Sequence, residues 1–325
     1  MITRRQLIAR STATAFASGL AGRSASAQAW PNRFVRIIVP FVAGGGTDFT
    51  ARILAGKLSE VWGQQVVVEN RGGAGGTIGA VAASQAEPDG YTMFLGSITQ
   101  AIGPYIYPTL GYDPVADFSP VTLICHFPNI MVVPMSSPAK TVAEFIAHAK
   151  ANRGKISYAS SGSGTSLHLS GELFKRLADI EMTHVPYRGA GPAMNDLIAG
   201  RVDAMFGNST SMLPLVRQNS LRGLAVTSAK RVPVAPELPP IADELPGFDV
   251  SSWYSFFVPA KTPPDIVRRM HQDTVAALAQ PAIRSRFEEI GAVVIGSTPA
   301  ELAAHLRAEM DKWGRIVRDA GIRVE

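Results

Sequence analysis

Cysteine occurs once in 325 residues, at Cys125, so the chain can close no internal disulfide and build no cysteine-rich metal site. That cysteine lies in the apolar segment Val121 to Phe127 and reads as a small buried hydrophobe rather than a nucleophile. No run of 18 apolar residues exists, which leaves no transmembrane helix. Catalytic signatures are missing as well. There is no Gly-x-Ser-x-Gly elbow, because Ser161 stands where Ser163 would need a preceding glycine. There is no His-Glu-x-x-His either, and the six histidines, at 126, 148, 168, 184, 271 and 305, are scattered. His148, His271 and His305 fall on expected helices and read as solvated. His168 and His184 adjoin a serine-rich turn, where they could face a ligand or serve as structural hydrogen-bonding partners.

Charge is scarce at 18% of residues against 46% hydrophobic, which excludes a disordered chain and fits one or two packed domains. Four of the 31 basic residues (Arg4, Arg5, Arg10, Arg23) and none of the 26 acids lie in the first 29 positions. Those positions read as an export leader: arginines, a small-residue stretch from Ser11 to Gly22, then small-x-small cleavage sites at Ala25-Ser-Ala27 and Ala27-Gln-Ala29. Thr3-Arg4-Arg5-Gln6-Leu7-Ile8 resembles a twin-arginine signal. Without the leader the chain carries 27 basic and 26 acidic residues, so the formal +5 gives no support to nucleic-acid binding.

What is present is alternation. Continuously apolar strands are predicted at 35–41, 65–69, 91–95, 129–133, 156–159, 183–187, 202–206, 224–227, 255–258 and 292–295. Helices are predicted at 47–61, 77–83, 141–151, 166–177, 192–199, 264–279, 283–290 and 299–320. Strands without polar alternation suit parallel sheets covered on both faces, so the fold class is α/β. Thr141 with Glu144, and Thr298 with Pro299 and Glu301, mark two helix starts. Five prolines between Pro233 and Pro246 predict an extended surface segment. Two lobes are expected, residues 30–126 with 252–325 forming one and 127–251 inserted as the other.

The strand at 35–41 runs into Gly44-Gly45-Gly46-Thr47-Asp48, a turn that offers bare backbone N–H groups to an anion. No lysine follows, so it is no P-loop, and Phe49 stands where the dinucleotide fingerprint needs glycine. Related turns occur at 70–77, 160–166, 187–192 and 207–211. In open α/β sheets such turns cluster beyond the carboxyl ends of the strands, where ligands bind. Asp48 reads as a capping carboxylate or a ligand group. Arg71 and Arg188 stand beside these turns, either exposed or paired across the lobes, or able to meet a carboxylate. Asp203 could accept an amine or a structural hydrogen bond.

The motifs Ile38 to Asp48, Gln65 to Gly76, Pro88-Asp-Gly-Tyr91, Tyr112-Asp-Pro114, His168-Leu169, His184 to Gly189, Leu224 to Ser228 and Pro259-Ala-Lys-Thr-Pro263 together resemble those of the solute-binding proteins of tripartite tricarboxylate transporters, the Bug family. Val42 departs from the usual proline, Gly73 from a Pro-Gly slot and Arg188 from a common lysine. The resemblance implies a two-lobed, type II periplasmic binding protein that closes on a small organic carboxylate and hands it to the permease subunits of such a transporter. It implies a monomer with no cofactor, no metal and no catalysis. One jaw is implied at Phe41, Gly45, Gly46, Thr47 and Asp48, and the other at Ser161, Gly162, Ser163, Ser166 and His168. Tyr187, Gly189 and Gly207 are implied on the second lobe's wall, facing Ala74, Ser97 and Thr99, with Asn208 and Thr210 near the distal end. Presentation of the ligand to a membrane sensor is the alternative, and an α/β enzyme a third reading.

Overall fold

The computed structural model describes residues 30–320, and the expected leader, residues 1–29, lies outside them. Among the described residues ten strands are formed: β1 (Val35–Val39), β2 (Val66–Asn70), β3 (Thr92–Ser97), β4 (Phe118–Pro134), β5 (Ser157–Ser160), β6 (Thr183–Pro186), β7 (Ala204–Asn208), β8 (Leu221–Val226), β9 (Ser251–Pro259) and β10 (Val293–Val294). The helices are α1 (Gly46–Trp62), α2 (Thr77–Ser84), α3 (Thr99–Ile106), α4 (Val142–Ala151), α5 (Ser166–Ala178), α6 (Ala190–Ile198), α7 (Ser209–Arg217), α8 (Pro264–Ala279), α9 (Pro281–Glu289) and α10 (Pro299–Ala320).

Parallel ladders occur where strands are joined through helices. β1 pairs in parallel with β2 and β3, and β5 with β6 and β7. The long strands that cross between the two halves pair antiparallel with their neighbours. β4 is shared. Its Phe118–Pro128 stretch pairs with β9, and from Asn129 onward it pairs with β7 and β8. Sequence periodicity had marked only 129–133 of this strand, because Pro120 and Pro128 interrupt the pattern. Both prolines fall in a ladder that carries register shifts, where a missing N–H is tolerated.

The apolar strands are covered as expected. Val35, Ile37, Ile38 and Val39 on β1 have no exposed surface, and the Phe94, Phe206, Phe256 and Phe257 rings are essentially buried. Each such ring contributes roughly 2–3 kcal/mol over its exposed state. A single apolar cluster runs from Ile38 and Phe94 past Trp253 and Phe257 to Phe174 and Phe206, so the halves share a core beneath the crossing strands. Residues from Arg33 onward accordingly cluster as one compact unit.

Helix starts follow the sequence signals. Thr141 Oγ1 accepts the Glu144 N–H at 3.1 Å. At α10, Thr298 Oγ1 accepts from Glu301 N–H at 3.2 Å while Glu301 Oε2 accepts from Thr298 N–H at 2.8 Å.

Three expectations need correction. Helices α3 and α7 were not foreseen, since each carries an internal proline, Pro104 or Pro214, that reads as a breaker. The proline-rich stretch is more than a surface strap, because Ala235 and Ile241 from it are buried without exposed surface. His305 is not solvated: its ring lies 5.0 Å from His126 and 5.1 Å from Trp253, with Nε2 buried, because this face of α10 packs onto β4 and β9.

Candidate ligand-binding cleft

A narrow slot of about 350 Å³, open to solvent at its rim, lies between the two halves. The lining residues contain no acid, base or histidine. They gather instead at five helix starts. Gly46 and Thr47 begin α1; Ile98 and Thr99 begin α3; Thr165, Ser166 and Leu167 begin α5; Ala190 begins α6; and Asn208 precedes α7. The first N–H groups of a helix have no acceptor within it, and each helix start carries a partial positive charge of roughly half a unit. Gly45, before α1, provides no side-chain cap, which leaves those donors to the slot.

Each jaw is pinned from behind. Asp48 is buried and points away from the slot, accepting from Gly44 N–H at 3.2 Å and Arg52 Nε at 3.0 Å. Burial pushes its carboxyl up, but hydrogen bonds from Arg52, Gly44 and Asn70 outweigh that and hold it below the usual range. Asn70 Nδ2 in turn donates to Phe41 O at 3.0 Å. Asp48 therefore fixes the glycine turn, as a capping carboxylate would.

The serine-rich turn is held by imidazoles. Ser160 Oγ and His184 Nε2 are 2.6 Å apart, Gly164 N–H donates to His168 Nδ1 at 3.2 Å, and the two rings stack with centroids 4.2 Å apart. Burial pushes His168 down to about 4 and His184 to about 3, so both rings are neutral at neutral pH. Ser160 is fully buried, with its hydroxyl also on Gly162, so the Ser-His pair offers no nucleophile.

Of the residues named from the sequence, Phe41, Gly46, Thr47, Ser97, Thr99, Ser161, Ser166 and Asn208 line the slot. The rest do not. Gly45 is tucked against Ala190, and Gly189 against Val42. Gly207 packs on Met212, and the Tyr187 hydroxyl donates to Asp196 at 2.7 Å. Ala74, Gly162 and Ser163 lie where the two halves meet at the rim. Arg71 pairs with Glu69, and Asp203 accepts from the Ser157 N–H and hydroxyl, both outside the slot.

The slot floor was only partly foreseen. Asn208 Nδ2 donates to Asn129 Oδ1 at 2.7 Å, and the Tyr254 hydroxyl donates to Asn208 Oδ1 at 3.2 Å. Asn129 is the residue at which β4 changes partners. Ser252 and Tyr254 are two apart on β9 and so share one face; that alternation was the available signal. Ala190 and Leu167 contribute chiefly backbone, which side-chain chemistry cannot announce.

Two lobes joined by shared strands, with helix starts converging on a slot between them, define a solute-binding protein. A family model described as the tripartite tricarboxylate transporter family receptor matches residues 50–322. The structure is similar to periplasmic binding protein BugD, with 34% identity, TM-score 0.88 and coverage of 91% of this chain and 100% of that one. It is similar to a Rhodopseudomonas palustris protein solved with adipate (38%, TM-score 0.88, covering 91% and 100%). It also resembles Rhodopseudomonas palustris MatC with bound malate (33%, TM-score 0.85, covering 89% and 100%). The chain belongs to the tripartite tricarboxylate transporter receptor family, the Bug proteins among them, and has their two-lobed type II fold. Its family and these neighbours are binding proteins rather than enzymes.

Proposed function

We propose that this protein is exported to the periplasm, where as a monomer it captures a small organic dicarboxylate between its lobes and delivers it to the membrane subunits of a tripartite tricarboxylate-type transporter. The observation that carries this reading is the convergence of five helix starts on a slot without charged side chains. A carboxylate there is held by N–H and hydroxyl donors, with no buried ion pair to break on release. One carboxylate meets Gly46, Thr47, Ser161 and Ser166, drawn from both lobes; the other lies toward Thr99 and Asn208. The relatives solved with adipate and malate hold dicarboxylates, which supports the two-ended assignment. The moving bodies are residues 30–126 with 252–325, and residues 127–251, hinged where β4 and β9 cross.

Contacts from both lobes favour the closed state, so the ligand shifts the population toward it. A thermal-shift and calorimetry panel of mono-, di- and tricarboxylates, with the matching neutral amides, tests the reading. The fitting acid at 100 times its Kd adds about 2.7 kcal/mol, a rise of roughly 5 °C or more in a chain of this size. Stabilisation by amides as strong as by acids, or by no acid at all, would sink it.

A further inference from the structure

Across the rim of the slot the Tyr107 hydroxyl donates to Ser163 O at 2.9 Å. Tyr107 caps the C-terminus of α3, while the N-terminus of that same helix, Thr99, lines the slot. Ser163 belongs to the serine-rich turn, whose Ser161 also lines it. The two ends of a single helical turn pair thus touch the ligand space and the opposite lobe.

Beside this hydrogen bond the backbones of the two lobes approach without side chains between them. A Cβ on Gly75 would fall inside the Ser163 carbonyl oxygen and 2.5 Å from the Tyr107 hydroxyl, and one on Gly162 would lie 3.1 Å from Gly75 Cα. The lobe-1 strip is built for this contact. Gly73 (φ 138), Ala74 (φ 46), Gly75 (φ 59) and Gly76 (φ 101) follow one another with positive φ, and Ala74 is strained there because it carries a Cβ. Strain of this kind persists where the surroundings require it, and here it flattens the strip against Gly162 and Ser163.

We propose that Tyr107 and the Gly73–Gly76 strip form a latch that holds the closed state by gripping the ligand-bearing turn of the opposite lobe at Ser163. This rests on the two-lobed binding reading above. The latch acts on the dissociation step. Ligand enters the open form, where Tyr107 and Ser163 are apart, so association is untouched; reopening must break the hydrogen bond and the backbone contact. Because the gripped turn also presents Ser161 and Ser166 to the slot, opening the latch and losing the ligand's second jaw are one motion.

The test is single-molecule energy transfer between dyes at Glu60→Cys and Lys150→Cys, one on each lobe, with Cys125 too deeply buried to label. Ligand-free protein and protein with an excess of adipate are both measured. Tyr107→Phe removes only the hydroxyl, and a net hydrogen bond corresponds to about a fivefold shift in an equilibrium. The closed-to-open ratio is expected to fall about that much, and adipate dissociation to quicken equally with unchanged association. Gly75→Ala is expected to exceed tenfold. Tyr112→Phe serves as control, since that hydroxyl donates to Gln100 Oε1 at 2.6 Å within one lobe. It should lower the melting temperature and leave the distance distribution alone. Wild-type closed populations in Tyr107→Phe and Gly75→Ala would overturn the latch. If adipate fails to bind, the ligand-free distributions still decide the latch, while the carboxylate reading fails separately in the acid panel.

Discussion

The imidazoles of His168 and His184 stack with centroids 4.2 Å apart and planes 24° from parallel, directly behind the turn that carries Ser161 and Ser166. Each ring is tied to that turn by one hydrogen bond, to Gly164 N–H or to Ser160 Oγ.

Acid should therefore loosen the second lobe. Both rings are neutral in the folded protein, with folded values of about 4 and about 3 against 6.5 in the unfolded chain. A depressed folded value contributes stability that is complete above pH 6.5 and is lost as pH falls toward 4 and then 3. His126, also pushed by burial to about 4, adds to the same window. Thermal midpoints by circular dichroism should decline steadily from pH 7 to pH 4. A flat profile across that range would mean the imidazoles are not buried neutral.

Gly46→Ala should abolish binding while sparing the fold. A Cβ there would overlap Thr210 Oγ1 of the opposite lobe, so it intrudes on the space that lobe fills when the cleft closes. A loss of at least about a hundredfold in affinity, near 2.7 kcal/mol, is expected by calorimetry with an unchanged circular dichroism spectrum. Retained affinity would mean the slot is not where ligand binds.

Asp48→Asn tests the first jaw. The substitution keeps the shape but removes the charge that faces Arg52 and the Gly44 N–H. Charge-assisted hydrogen bonds contribute roughly 1.5–3 kcal/mol, so urea denaturation should show a loss of about 1–2 kcal/mol. The wild type should lose the same contribution as pH falls through the depressed folded value of Asp48, below the ordinary carboxylate range. Equal stability of the two proteins at pH 7 would contradict the pinning role.

Glu309 accepts from the indole N–H groups of both Trp253 and Trp313 at 3.1 Å. Glu309→Leu would leave two buried donors unpaired at roughly 1–3 kcal/mol each. A loss of about 2–4 kcal/mol in chemical denaturation is expected, with a change in tryptophan fluorescence; full stability would show that water replaces the carboxylate.

Much of the architecture was legible in the sequence, and the reasons are local. Val35 to Val39 is apolar on every residue because both faces of β1 are covered, and the glycine turn after it can only begin a helix without a side-chain cap. Helices α3 and α7 escaped because Pro104 and Pro214 look like breakers, yet each proline, the sixth residue of its short helix, removes only one intrahelical bond. The site was legible where hydroxyls and glycines follow a strand, as at Thr47, Ser97, Ser161 and Ser166. It was obscure where the contribution is backbone, as at Ala190 and Leu167. It was obscure too where distant segments meet, as where Asn208 links Asn129 to Tyr254. Ser163 and His168 stand in the right turn but face away from the slot, which spacing along the chain cannot reveal.

The two strands that cross between the lobes are not independent tethers. At the crossing, Phe127 and Pro128 of β4 pair with Ser252 and Ser251 of β9, so the lobes are joined by a short two-stranded ribbon. A ribbon bends readily across its flat face and resists sliding within its plane, because sliding would break every ladder bond at once. In the closure proposed above, the ribbon limits the lobes to a single swing, so that any donor on one half returns to the same partner on the other each time the cleft shuts. Register across the opening is kept by the hinge itself and need not be rediscovered by the ligand.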